Sequence, residues 1–201
     1  MAYRDFSLKK IQDAFQMQLY ESAQIFAEIQ PHAISAYLAE TLRENVPLAV
    51  SINTEKARSE LIIAPILVEL RKVLDRTVSL FSGIELTVDR AQDLSGFCDF
   101  IISNSPEQLF LRAPIITIVE AKNENLMSGL GPCLAEMIAA RLFNEREGQV
   151  IPTVYGAVTS GNLWKFLKLH NNTAHIDLDD YSIRQPELIL GILMAMATQR
   201  A

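Results

Sequence analysis

The sequence predicts an α/β (α+β) fold in a single domain of residues 1–201, with helices packed against a mixed central sheet. The stretch 115–122, IITIVEAK, is rich in β-branched residues, which is typical of a strand buried on both faces. Helical and strand periodicities along the chain give the core order α-β-β-β-α-β. A hydrophobic content of 49% and a length of 201 residues suit one domain with a sizeable core.

The N-terminal portion, residues 1–50, is predicted to be helical. Apolar residues recur at helical spacing over 7–30, and Ser7 is a suitable N-cap. A second short helix is expected over 34–45. Pro47 is expected to end it, because proline inside a helix removes a hydrogen bond.

The predicted core, residues 54–169, opens with a helix that runs to about residue 75. Asn53 or Thr54 is its candidate N-cap, and Pro65 is expected to kink it or to mark a boundary within it. Short turns separate the strands that follow, so neighbouring strands should be antiparallel. The three strand candidates are 84–88, 97–102 and 115–122.

The second half of the core begins with a helix that should be well buried. It is predicted from Ser128 or Pro132 to Arg146, and its first half is apolar nearly all round apart from Glu136. A closing portion, residues 173–201, completes the domain. The remaining predicted elements are a hairpin of 153–159 and 163–169, a strand at 173–178 and a helix that starts near Pro186.

Four charged residues stand where apolar residues would be expected. They are Glu60, Asp99, Glu120 and Lys122. The first falls beside the apolar stripe of its helix, and the second interrupts an apolar strand. Side chains two apart on a strand point the same way, so Ile116, Ile118 and the two charged residues that follow are predicted to share one face. A carboxylate on an inward face is costly unless it is paired or bound to a cation.

This pattern suits a divalent metal site. Asp99 and Glu120 can converge at one sheet edge if their strands are neighbours, and a hard cation such as Mg²⁺ would relieve their repulsion. The backbone carbonyl of Ala121 could supply a further oxygen. Such an ion lowers the pKa of a bound water and stabilises charge on a phosphoryl oxygen. Lys122 could deprotonate or orient that water, or stabilise the developing charge.

The constellation resembles the PD-(D/E)XK phosphodiesterase superfamily, which has the restriction-endonuclease-like fold. The residues that carry the resemblance are Glu60 on the first core helix, Asp99 on the second strand, and Glu120, Ala121 and Lys122 on the third. Glu136 matches a helix position where the family often carries an extra polar residue. The resemblance covers roughly residues 54–169, and its short motif gains specificity from the α-β-β-β-α-β order.

The resemblance implies a nuclease that depends on Mg²⁺ or Mn²⁺ and hydrolyses phosphodiester bonds of nucleic acid, DNA before RNA. Asp99 and Glu120 would be metal ligands together with the carbonyl of Ala121, and Lys122 would be the catalytic base or stabiliser. Glu60 would be an additional ligand or a residue that supports the ligands without touching the metal. Some members of the superfamily have lost activity and serve as binding or assembly modules, which is the competing hypothesis. An enzyme acting on a small phosphorylated ligand is a third possibility.

Plain structural roles compete with these assignments. Glu120 and Lys122 could form a strand-end ion pair that faces solvent. Glu60 could pair with Lys56 or Arg71 on its own helix. The helix glutamate at position 136 could bond to a backbone group in the core. The residues expected to lie in turns, on the surface or in the core are His32, His170, His175, Cys98, Cys133 and Trp164.

Composition limits the partners and the compartment. The net charge of −6 argues against strong non-specific attraction to nucleic acid, although a local basic groove remains compatible with it. The apolar run 188–194 should be either buried in the domain or part of a homodimer contact. Two cysteines without a disulfide pattern and a start unlike a signal peptide predict a cytoplasmic protein. The longest apolar run, 188–197, is too short to span a bilayer, so no membrane association is expected.

Overall fold

A mixed sheet of eight strands runs through the part of the chain that this computed structural model describes, residues 2–22 and 24–199. The strands are β1 (Gln18–Ser22), β2 (Ser79–Asp89), β3 (Leu94–Ser103), β4 (Ile115–Ala121), β5 (Thr153–Thr159), β6 (Leu163–His170), β7 (Thr173–Asp177) and β8 (Tyr181–Ser182). Their order in the sheet is β1-β7-β6-β5-β4-β3-β2, and β8 pairs with the first residues of β6.

Helices cover both faces of this sheet. They are α1 (Leu8–Phe15), α2 (Ala36–Ile52), α3 (Glu55–Arg58), α4 (Ala64–Val73), α5 (Leu130–Arg146) and α6 (Pro186–Ala197). A π-helical segment, Ser59–Ile63, joins α3 to α4, and short 3-10 helices occupy Tyr3–Asp5 and Leu126–Gly129. One face of the sheet packs against α1 and α5, and the other packs against α2, α4 and α6. The predicted α/β class is therefore confirmed.

The core follows the predicted α-β-β-β-α-β order, here α4-β2-β3-β4-α5-β5. The pairs β2–β3 and β3–β4 are antiparallel, as the short connections predict. The pair β4–β5 is parallel, and α5 provides the crossover that a parallel pair needs. The hairpin of β5 and β6 is antiparallel. Trp164, near the start of β6, is fully buried, as expected for a core tryptophan.

Strand β4 is buried along its whole length, which confirms the prediction that its β-branched sequence forms a strand buried on both faces. Its alternation has one interruption. The register passes from Ile102–Thr117 to Ser103–Ile115 and leaves Ile116 without a cross-strand partner. Ile116 consequently packs with the α6 side of the core, whereas Ile118 packs with the α5 side. The prediction that these two isoleucines share a face is wrong, because the bulge reverses the side-chain direction between them.

The N-terminal portion differs from its prediction in two places. A helix over 7–30 is wrong: α1 ends at Phe15, and Gln16 takes a left-handed conformation with φ of 50°. The chain then forms β1, a parallel edge strand that pairs with β7. Pro47 does not end the second helix either, since α2 continues to Ile52. Buried contacts on both sides of the proline, at Leu42 and Ala49, hold that helix together.

The helix after residue 54 begins as predicted, with the Thr54 side chain accepting a hydrogen bond from the Ala57 N–H. Its middle is not a regular α-helix. The Ala64 N–H donates to the Ser59 carbonyl five residues back, which is π-helical geometry. The π segment ends where Pro65 enters the first turn of α4, so the expected boundary at that proline is confirmed.

The apolar C-terminal helix α6 begins at Pro186 as predicted, and most of its apolar side chains are buried inside the chain. This places the run 188–194 in the domain core and leaves a homodimer as an untested prediction. Among the described residues, one helical stretch, Leu126–Arg146, is long and apolar enough to cross a membrane, and 72% of its most apolar window is buried inside the protein. Burial of this kind is also what a core helix shows.

Candidate active site

The carboxyl end of β4 borders a cavity of about 380 Å³, which we call the acidic cavity. Asp99, Glu120 and Lys122 all line it, so the structure brings together three of the four charged residues that the sequence singles out. Its charged lining comprises Arg4, Glu55, Asp99, Glu120, Lys122 and Glu136. Four carboxylates and two cations therefore face one space.

Asp99 reaches this cavity because the strand alternation breaks at its position. Cys98 and Ile101 pack in the same core cluster although three positions separate them, so the backbone turns over at Asp99. The residue opposite Asp99 on β2 is Gly83, and its φ of 64° is a left-handed conformation that favours glycine. Asp99 Oδ2 accepts a hydrogen bond of 2.7 Å from the Ala121 N–H, beyond the last β3–β4 pair at Phe100 and Val119. The carboxylate thus takes the place of a backbone partner where the two strands separate.

Glu120 and Lys122 lie on the α5 face of β4 and form a direct ion pair. The distance from Lys122 Nζ to Glu120 Oε1 is 2.6 Å, and the two side chains are 21% and 9% exposed. The backbone N–H of Lys122 donates to the Thr159 carbonyl on β5, which extends the pairing of the two strands. This ion pair is partly buried, so it differs from the alternative prediction of a strand-end ion pair that faces solvent.

Burial raises the pKa of both carboxyls. For Glu120, burial and the neighbouring Asp99 charge outweigh the Lys122 ammonium and raise the pKa to about 7. For Asp99, burial raises the pKa against the opposing effects of the Ala121 N–H and Lys122. Burial also disfavours the charged form of Lys122, but the charge and hydrogen bond of Glu120 prevail and raise its pKa. At neutral pH Lys122 is therefore an ammonium group.

Glu136 projects from α5 into the same cavity and is only 1% exposed. Burial, followed by the charges of Glu120 and Asp99, raises its pKa well above the usual value, which favours the neutral carboxyl over the carboxylate. Its carboxyl shares a hydrogen bond with the Cys98 thiol, and its Oε2 atom has no partner within the described residues. The alternative that Glu136 bonds to a backbone group is not seen for Oε2 within the described residues.

Glu60 is the residue that the structure places differently from the prediction. Its side chain is 60% exposed and forms an ion pair of 2.8 Å with Lys56, one of the two plain alternatives. The inward-facing assignment is wrong because it assumes a regular 3.6-residue period, whereas Glu60 lies in the π-helical segment. Glu60 borders a second cavity of about 280 Å³, which adjoins the acidic cavity through the shared residues Glu55 and Asp99.

Sequence reasoning missed two contributors to the acidic cavity. Glu55 directly follows the Thr54 N-cap and lines both cavities. The N-cap at Thr54, which the sequence predicts, is the local feature that could have pointed to this carboxylate. The N-terminal residues form another wall: Tyr3 is buried, its hydroxyl donates to the Leu86 carbonyl at 2.5 Å, and its ring covers Gly96. No local pattern in the sequence connects these residues to β3.

The residues after Lys122 are held by a buried arginine. Arg58 is 5% exposed, and its guanidinium donates to the side chains of Asn123 and Asn53 and to the carbonyl of Ser160. These bonds connect α3 with the loops that follow β4 and β5. Arg58 thereby fixes the loop that begins immediately after the candidate catalytic lysine.

The donor set can be tested against a divalent cation. Hydrogen bonds within the described residues engage Asp99 Oδ2 and Glu120 Oε1, which leaves the other oxygen of each carboxylate for a ligand. Mg²⁺ commonly takes one or two protein carboxylates and keeps several waters, so the number of carboxylates here agrees with what that ion needs. Within residues 2–22 and 24–199, no group of three or more His, Cys, Asp or Glu side chains is arranged to hold a metal. Ala121 is fully buried and does not line the acidic cavity, so its carbonyl stays a predicted ligand only.

Comparison with known proteins leaves the family open. No protein-family model matches the chain, and no curated protein is significantly similar to it in sequence.

Proposed function

We propose that the protein is a metal-dependent phosphodiesterase that hydrolyses nucleic acid, DNA before RNA, as a member of the PD-(D/E)XK superfamily. The observation that carries this proposal is the meeting of Asp99, Glu120 and Lys122 in one cavity at the end of a buried central strand. Asp99 and Glu120 would hold Mg²⁺ or Mn²⁺, and such an ion would supply a nucleophilic water and stabilise charge on the phosphoryl oxygen.

The protonation of Lys122 bears on its role. Its pKa is raised by Glu120, so at neutral pH it is a poor proton acceptor and a good hydrogen-bond donor. This favours Lys122 as the group that orients the attacking water or stabilises the developing phosphoryl charge, rather than as the base. Glu136 is buried in the same cavity, and its raised pKa favours the neutral form, which would limit the number of negative charges there.

A cleavage assay tests the proposal. The purified protein is incubated with single- and double-stranded DNA and RNA in Mg²⁺, in Mn²⁺ and in chelator. We expect metal-dependent cleavage that falls by about 100-fold or more in Asp99→Asn and in Lys122→Met, because the first variant weakens a metal ligand and the second removes the cation that would stabilise the developing phosphoryl charge. Lys9→Met, an exposed lysine on α1, is the matched control and should retain full activity. Absence of cleavage in every metal and substrate, or activity unchanged in Lys122→Met, would contradict the proposal.

A second candidate function is a non-catalytic binding or assembly module of the same fold. The observation that favours it is that both candidate ligands already have a protein partner: Lys122 pairs with Glu120, and Asp99 accepts a hydrogen bond from the Ala121 N–H. Calorimetry with Mg²⁺ and Mn²⁺ separates the two functions. Metal binding that disappears in Asp99→Asn supports the enzyme, and absence of binding in the wild-type protein supports the module.

A further inference from the structure

A separate cavity of about 470 Å³ lies on the sheet near β1, β6 and β7. We call it the basic pocket, and its lining among the described residues is Ser22, Ile25, Lys168, His170 and His175. It is distant from the acidic cavity in two ways. The two cavities lie on opposite faces of the sheet. The cross-strand partner of Lys168 is Tyr155, which packs on the α6 face, whereas the partner of Glu120 is Val158, which packs on the α5 face. His170 pairs with Thr153 at the opposite end of β5 from Val158, about 16 Å away at roughly 3.3 Å per residue.

Strand pairing brings the three basic side chains together. Lys168 on β6 is the direct cross-strand partner of His175 on β7. His170 lies two residues beyond Lys168, so its side chain is on the same face of β6. Directly opposite residues in an antiparallel pair have Cβ atoms about 5 Å apart. The cluster is therefore a product of the sheet register, and it places three nitrogen-bearing side chains around one space.

In each of the two imidazole rings, Nδ1 contacts a hydroxyl group that holds the ring in place. His175 Nδ1 is 3.1 Å from the Ser22 hydroxyl, and His170 Nδ1 is 3.0 Å from the Thr153 hydroxyl. Tyr20 also stacks on the His175 ring, with 5.5 Å between ring centroids. When the hydroxyl donates to Nδ1, a neutral imidazole carries its proton on Nε2 and can donate it to a ligand. Both rings thus offer Nε2 as the remaining polar atom.

The charge of the basic pocket identifies the class of ligand. Its lining within the described residues contains Lys168 and two histidines but no carboxylate, although the chain carries a net charge of −6. Two imidazoles alone would suit a transition metal, but an ammonium group between them repels a cation. Lysine and imidazole N–H groups instead suit an oxyanion with several acceptor oxygens.

We propose that the basic pocket binds the phosphate group of a small phosphorylated ligand. Lys168 supplies the charge, and His170 and His175 supply directed N–H donors from two sides of the phosphate. The pocket volume of about 470 Å³ exceeds what a bare phosphate needs and falls in the range of small-molecule sites. This proposal does not depend on nuclease activity, because the basic pocket shares no residue with the acidic cavity.

Imidazole NMR provides a direct test, because the chain contains only three histidines. The ¹⁵N-labelled protein is titrated with inorganic phosphate at constant pH and ionic strength to about 10 mM, which reveals dissociation constants up to the millimolar range. We expect the ring nitrogen signals of His170 and His175 to shift in a saturable manner. His32 lies outside the pocket and serves as the internal control, so its signals should stay in place.

Variants locate the binding. Lys168→Gln keeps the length and polarity of the side chain but removes its charge, and it should weaken phosphate binding by at least about tenfold. Lys9→Gln, on the exposed face of α1, is the matched control and should bind as the wild-type protein does. Thermal unfolding of each variant verifies that the fold persists. Phosphate shifts of equal size at all three histidines, or binding unchanged in Lys168→Gln, would overturn the proposal.

Three further ligands identify the source of the phosphate. Adenosine monophosphate and a 5′-phosphorylated oligonucleotide present the same group on larger molecules, and adenosine lacks it. Tighter saturation by either phosphorylated ligand than by inorganic phosphate supports the proposal and names the natural class. Equal shifts with adenosine and adenosine monophosphate would refute phosphate recognition, as would no shift with any phosphorylated ligand.

Discussion

Replacing Glu120 with glutamine tests the electrostatics of the acidic cavity directly. Burial raises the pKa of Glu120 from its ordinary value of 4.5 to about 7, so the folded protein binds this proton more tightly than the unfolded chain does. The contribution of Glu120 to stability is then greatest below about pH 4.5 and is lost as the pH rises through about 7. Since a tenfold change in an equilibrium constant corresponds to about 1.4 kcal/mol, the ionised carboxylate costs about 3 kcal/mol above pH 7.

Urea unfolding of the wild-type protein and Glu120→Gln from about pH 5 to about pH 9 measures this effect. The readout is the difference in unfolding free energy between the two proteins at each pH. We expect the difference to move in favour of the variant by about 2–3 kcal/mol between pH 5 and pH 8 and then to level off. Asp99 and Glu136 also have raised pKa values, so both curves slope, and their difference reports on Glu120 together with its charge coupling to these two neighbours.

A matched control distinguishes the effect of burying a carboxylate from the effect of merely removing its charge. Glu44 on α2 is 67% exposed and pairs with Arg43 at 3.0 Å, so Glu44→Gln removes an ion-paired carboxylate that is not buried. Its difference from the wild-type protein should stay within about 0.5 kcal/mol at every pH. Parallel stability curves for Glu120→Gln and the wild-type protein would refute the raised pKa of Glu120 and the crowding of carboxylates that it implies.

Three other changes have clear expected outcomes. Arg58→Ala should destabilise the fold by about 2–4 kcal/mol in urea unfolding, because the buried Ser160 carbonyl and the Asn53 side chain lose a charged donor; a loss under about 0.5 kcal/mol would contradict this role. Gly191→Ala should lower stability by about 1–3 kcal/mol, since a Cβ on α6 would lie 2.3 Å from the Gln30 carbonyl oxygen; unchanged thermal unfolding would show that this contact can relax. Glu60→Gln should leave calorimetric Mn²⁺ affinity unchanged within about twofold, because its carboxylate is exposed and paired with Lys56; a larger loss would restore Glu60 as a ligand.

Local sequence signals predict the elements whose causes are themselves local. The β-branched run of β4, the Thr54 cap and the proline at the start of α6 each act through nearby residues, and the structure has all three where expected. The 7–30 helix fails for the opposite reason. Its second half becomes β1, which is stabilised by pairing with β7 more than 150 positions later, as in the pair of Gln18 and Thr173. Apolar spacing cannot reveal such a partner.

The candidate site shows the same division. Glu120 and Lys122 could be assigned because they stand at the end of an unmistakable buried strand. The position of Glu60 could not be assigned, because a π-helical segment changes the angular spacing that determines which face of a helix a residue occupies. The wall formed by Tyr3 depends on contact with Leu86 and Gly96, and a sequence separation of more than 80 residues carries no local signature.

Asp99 explains why the fold and the candidate site are difficult to separate. Its carboxylate bonds to the Ala121 N–H at the point where β3 and β4 cease to pair, so it stabilises the end of the strand that carries Glu120. An alanine there would leave a buried N–H without a partner as well as removing a candidate ligand. Asparagine can still accept that hydrogen bond through its amide oxygen while lacking the charge. A loss of metal binding in Asp99→Asn with stability retained would therefore assign the ligand role independently of the structural one, and an equal loss of both would mean that the carboxylate is chiefly structural.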